Sequence, residues 1–217
     1  MSKYTVITAD IVSSREIEFE PTGIKDNLAN LNQNIQVQYP FTLMRGDEIQ
    51  GVLAGDLPAK LPRVVRNLRF FLYPCQLRVG IGTGSIQSDR NTDNPWELNG
   101  EAFYKARSAL EQLEDEDEQN TLLRSEYKAK DKVFNSLWLL MDMIQSEWTD
   151  SQWEAIYAYE QEGTYRQAAA KLGIALQNVE KRCRAAGWQQ FRRAETNMQE
   201  IIELFAEGQL SAGRGDS

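Results

Sequence analysis

The order of apolar patterns predicts an α+β protein, a β-α-β-β-α-β domain followed by an all-α domain. Near-continuous β-branched segments open the chain and recur up to residue 86, with helical spacings between them. Beyond residue 130 every apolar pattern is helical. The 217 residues suit one large domain or two small ones. The change of pattern divides them into residues 1–129, 130–210 and a flexible tail at 211–217.

The first strand is YTVITADIV, from Tyr4 to Val12, apolar enough to be buried on both faces. Pro21 opens a helix over residues 21 to 37, with Ile24, Leu28, Leu31 and Ile35 on one face. Two short strands, at 41–44 and 49–55, flank Arg45-Gly46-Asp47-Glu48 and form a hairpin. A second helix over 58–72 carries Leu61, Val64, Val65, Leu68 and Leu72 on one side. CQLRVGIGTGSI is the next strand; its G-x-G-x-G lacks dinucleotide-motif spacing and reads as strand-end geometry, with Arg78 a surface or strand residue. This succession is a ferredoxin-like plan. A polar loop at 89–98, a helix at 100–113, a solvated acidic run at 114–118 and a last strand at 121–125 complete the first domain. Residues 130–148 form an apolar connector helix, and Thr149-Asp150 caps the next one.

Composition narrows the chemistry. The chain has no histidine, which excludes a Ser-His-Asp triad, a Cys-His pair and imidazole-ligated zinc. Cys75 and Cys183 read as reduced thiols. No apolar run approaches the roughly 18 residues of a membrane span, and no signal-peptide core follows Met1, so a cytoplasmic protein without membrane contact is expected. The net charge of −8 hides an asymmetry: residues 163–194 carry seven cations against Glu180 alone, net +6, leaving −14 elsewhere.

Asp10 ends the first strand and Asp47 sits at the hairpin tip, so neighbouring antiparallel strands would bring them together. Paired carboxylates and substrate phosphates are a usual magnesium environment and need no histidine. At these residues the chain resembles a known family. "ADIVSS", "RGDEIQGVL", "LRVGIGTGSI" and "GEAFYKARSAL", within residues 3 to 113, look like the SatD family and more distantly like class III nucleotide cyclases and GGDEF-type palm domains. The resemblance implies a cyclase-type palm holding Mg²⁺ or Mn²⁺ on Asp10, Asp47 and the Ile11 carbonyl. It also implies nucleotide contacts from Gly46, Glu48 and Arg107. Phe103 stands where the class III pattern has an asparagine, and Arg-Gly-Asp-Glu-Ile replaces the diguanylate-cyclase loop.

Residues 149–188 space three helices around Gly163-Thr164 and Gly173-Ile174, resembling the helix-turn-helix of sigma factors and LuxR-type regulators. That match implies that Gln177, Asn178, Lys181, Arg182 and Arg184 face double-stranded DNA, with Val179 inward. Trp138, Trp148, Trp153, Trp188 and Tyr165 read as core or interface. One such unit binds DNA weakly, so a homodimer is expected, through residues 133–144 or through Ile201, Ile202, Leu204 and Phe205. The favoured expectation is a DNA-binding regulator whose cyclase-like domain binds a nucleoside triphosphate with metal. The alternatives are an active cyclase or nucleotidyltransferase with Asp10 and Asp47 catalytic, and a non-catalytic protein-interaction module.

Overall fold

The computed structural model describes residues 2–12, 21–44, 47–87, 95–115 and 119–208. Arg45, Gly46, most of the polar loop, residues 116–118 and the tail lie outside them. The chain divides into two compact units, Met1–Leu139 with Met198–Ser217, and Leu140–Asn197.

The first unit runs β1 (Tyr4–Ile11), α1 (Pro21–Asn34), β2 (Tyr39–Met44), β3 (Glu48–Ala54), α2 (Leu61–Leu72), β4 (Leu77–Gly84), α3 (Glu101–Asp115) and β5 (Thr121–Arg124). The α4 helix, Lys128–Ser146, follows. One mixed sheet has the order β2-β3-β1-β4-β5. Among the described residues only the β4–β5 pairing is parallel; β1 lies antiparallel between β3 and β4, with Ile7 opposite Gly51 and Ile81. Edge strand β2 starts earlier than the apolar run suggests, at Tyr39. Its register shifts between Tyr39 and Thr42, around Pro40, as an edge strand tolerates. α2 starts later than predicted, because Leu61 N–H closes a turn onto the Pro58 carbonyl.

The sheet is covered on both faces, which explains the unbroken apolar run of β1. Strand alternation puts Val6 and Val52 against Leu98, Ala102 and Ala106, the α3 side. Ile7, Ile49, Leu53, Val79 and Ile81 point to the other side and are fully buried. Of the β4 glycines, Gly84 stands at the strand end as expected, whereas Gly80 and Gly82 are mid-strand packing residues. A Cβ on Gly80 would fall on Ala106 and Leu110 backbone atoms, and one on Gly82 on those of Ala102 and Ala106. Helix α3 therefore sits directly on the strand, as close as only glycine allows. Arg69 of α2 donates to Thr121 Oγ1 at 2.7 Å and to the Asn120 carbonyl at 3.2 Å, tying α2 to the start of β5.

The second unit is helical: α5 (Asp150–Glu162), α6 (Tyr165–Leu172), α7 (Leu176–Ala185) and most of α8 (Trp188–Ala206). Gly163 at φ 75° and Gly173 at φ 65° end α5 and α6 in the left-handed conformation. Thr164 caps α6 by accepting from Gln167 N–H at 3.2 Å. The core of this unit is aromatic. Trp148 lies 4.8 Å from Trp153 and 4.9 Å from Phe191, and its Nε1 donates to the Ala186 carbonyl at 2.7 Å. Among the described residues no helix is long and apolar enough to cross a membrane.

Candidate functional site

The period of two along the strands puts a set of polar residues on the α3 face of the sheet. Thr8, Asp10, Glu48, Gln50 and Arg78 occupy even positions, in phase with Val6 and Val52. Asp10 pairs across the ladder with Arg78, whose Nη1 lies 3.8 Å from Asp10 Oδ2. The Asp10 side chain is only 16% exposed, and its Oδ1 is buried with no hydrogen-bond partner among the described residues. Burial pushes its carboxyl up to about 6, the Arg78 guanidinium opposes the rise, and the carboxylates of Glu114 and Asp47 add to it. An anionic oxygen held from water without a donor is costly.

Asp47 sits half-buried in the turn entering β3, close enough to Asp10 to act on its titration. Ile11 ends β1 opposite Leu77 and is buried, 2% exposed. Glu48 accepts from Arg107 Nη1 at 2.6 Å, and Arg107 Nε lies 3.5 Å from Glu111 Oε1. Gly46 falls outside the described residues. Phe103 packs against the cluster of Val6, Val52, Leu98, Ala102 and Ala106, so a hydrophobic contact fills that position. Among the described residues no three acidic or thiol side chains converge as a metal-holding group.

Sequence reasoning passed over Glu114 and undervalued Arg78. Glu114 opens the acidic run expected to be a solvated loop or helix end; it is exposed in the last turn of α3, and its charge also acts on Asp10. The spacing of Arg107, Glu111 and Glu114 on one helical face was the available signal.

In the helical unit, Val179 and Cys183 are buried, which turns Gln177, Asn178, Lys181 and Arg184 outward, all exposed. Arg182 differs. It is half-buried, donates to the Ser151 carbonyl at 3.5 Å and lies 3.7 Å from Glu154 Oε2, both on α5. A cleft of about 440 Å³ opens on the same unit, lined by Tyr159, Tyr165, Gln189, Arg192 and Arg193 among others. The two tyrosine rings stack at 4.5 Å and the Arg192 guanidinium sits 5.9 Å over Tyr159.

The architecture and these residues define an α+β protein with a buried carboxylate at the end of its central strand and an exposed polar face on a short helix. The chain belongs to the SatD family, whose model matches residues 4–202. No curated protein matches the sequence. Among solved structures it resembles a regulator of polyketide synthase expression from Bifidobacterium adolescentis, at 8% identity, covering 93% of this chain and 80% of that one, with a TM-score of 0.32.

Proposed function

We propose that this protein is a DNA-binding regulator whose ferredoxin-like, cyclase-type palm binds a nucleoside triphosphate with Mg²⁺ or Mn²⁺ through Asp10 and Asp47. A helix-turn-helix formed by α6 and α7 would read double-stranded DNA. The observation that carries the reading is Asp10 Oδ1, buried and without a donor among the described residues, beside a second carboxylate. A cation supplies the missing positive charge, and hard carboxylate oxygens suit these metals. Bound there, the cation would neutralise and orient the triphosphate.

The chain's own groups have separable parts. Arg78 holds Asp10 in place, and the ladder between β1 and β4 fixes both. Arg107 is more than half exposed and tied to Glu48; opening that pair frees a guanidinium for a phosphate. With Phe103 in the hydrophobic cluster, a polar stabiliser of charge build-up is missing there, so binding without turnover is the favoured outcome. On α7, Gln177 and Asn178 suit adenine edges, while Lys181 and Arg184 suit guanine edges or phosphates. Arg182, engaged with α5, positions the helix.

The test is fluorescence anisotropy of a random duplex pool with the full chain, with and without each triphosphate and Mg²⁺, beside chromatography of the nucleotides. The reading expects salt-dependent binding that Lys181→Ala and Arg184→Ala weaken, a change in affinity with one triphosphate, and unchanged nucleotide. A new nucleotide product lost in Asp10→Ala would replace regulation with catalysis. Equal DNA affinity in every nucleotide state would remove the coupling.

A further inference from the structure

Helix α4 carries two apolar stripes about 100° apart. Phe134, Trp138, Met141 and Gln145 form one and are at most 5% exposed. Val133, Leu137, Leu140 and Ile144 form the other; Val133 is 43% exposed, Leu140 59% and Ile144 36%, with Met143 beside them at 59%. The alternative apolar face near the carboxyl end is partly used, since Ile202 is 3% exposed and Phe205 packs on Phe134 at 6.0 Å.

We infer that the open stripe of α4 is the self-association surface of this protein, seated antiparallel on α4 of a second copy. The steps along the stripe are four, three and four residues, the seam spacing of a coiled coil. That spacing reads the same in both directions, as an isologous two-fold contact requires. The two-fold axis passes between positions 138 and 139, setting Val133 against the partner's Ile144 and Leu137 against the partner's Leu140. Charge selects the same arrangement. Exposed Lys128 and Lys132 mark the amino end, where Asp131 is taken up by Ser125 N–H, while exposed Glu147 follows the carboxyl end. An antiparallel pair places each basic end beside an acidic one and opposes the two helix dipoles; a parallel pair sets like charges together. The inference stands independently of the metal and DNA readings, though a dimer would supply two recognition helices.

Sedimentation velocity of the full chain over a concentration series tests it, with circular dichroism to verify folding. A reversible dimer is expected. Leu140→Glu should raise its dissociation constant by roughly 100-fold or more, because two carboxylates enter one apolar seam. Met143→Glu, at an equally exposed position, is the second probe should Leu140→Glu fail to fold. Glu147→Lys should raise the constant about 3- to 10-fold, and adding Lys132→Glu should restore it to within about twofold. A monomer at every concentration would overturn the inference and leave the stripe to a different protein. A dimer indifferent to both apolar substitutions would overturn it too, and a double charge variant no tighter than Glu147→Lys would overturn the antiparallel seating.

Discussion

Polar groups are used in opposite ways in the two units. On the sheet and the helix above it, charged groups are tied in two pairs, Asp10 with Arg78 and Glu48 with Arg107, and Asp10 is largely withdrawn from water. On α7, Gln177, Asn178, Lys181 and Arg184 are exposed and rest on a core that never touches them. The first arrangement carries an electrostatic penalty; the second leaves exposed polar groups nearly neutral for folding. Substitutions should therefore change stability on the sheet and leave it almost unaltered on the helix face.

The largest effect tests the frame that holds the carboxylates. Gly82→Val drives a side chain into the α3 backbone, so a loss of about 3 kcal/mol or more is expected, seen as a fall of roughly 6 °C or more in the thermal midpoint. A smaller effect of opposite sign follows at Asp10. Its carboxyl titrates at about 6 in the folded chain, so folding favours the protonated form. That contribution is whole below about pH 4 and is lost as pH rises through 6. Asp10→Asn should accordingly stabilise the metal-free protein by about 1–3 kcal/mol at pH 8 and leave it unchanged at pH 4, measured by thermal melts across pH. A destabilised Asp10→Asn at pH 8 would show that the carboxylate is satisfied. Thr164→Ala, which removes the cap of α6, should cost about 1 kcal/mol in the same melts. Lys181→Ala should move stability by less than about 0.5 kcal/mol while weakening DNA binding, which separates the helix face from the sheet.

Much of this arrangement was readable before any coordinates. The β1 segment is legible because burial on both faces leaves an unbroken apolar run, and α6 and α7 because Gly163-Thr164 and Gly173-Ile174 punctuate the helical pattern. The pairing of Asp10 with Arg78 was not, because ladder register depends on which residues face across strands distant in sequence. Gly80 and Gly82 were misplaced for a related reason: a glycine at a strand end and one beneath a helix look alike until the helix is seen on top. The contact of Arg182 with α5 is not legible either, because helical period identifies neighbours within α7 but not where α5 lies. The exposed Glu114 is solvated as its charge run suggests, but its effect on Asp10 depends on how α3 packs and is not legible in composition.

Calorimetric titration of the full chain with each nucleoside triphosphate, with and without Mg²⁺, at pH 7.5 beside Asp10→Asn, tests the central claim most directly. The account predicts saturable binding of at least one triphosphate that requires the cation and falls by at least roughly tenfold in Asp10→Asn. Binding of equal strength without the cation, or in a folded Asp10→Asn variant, would contradict it.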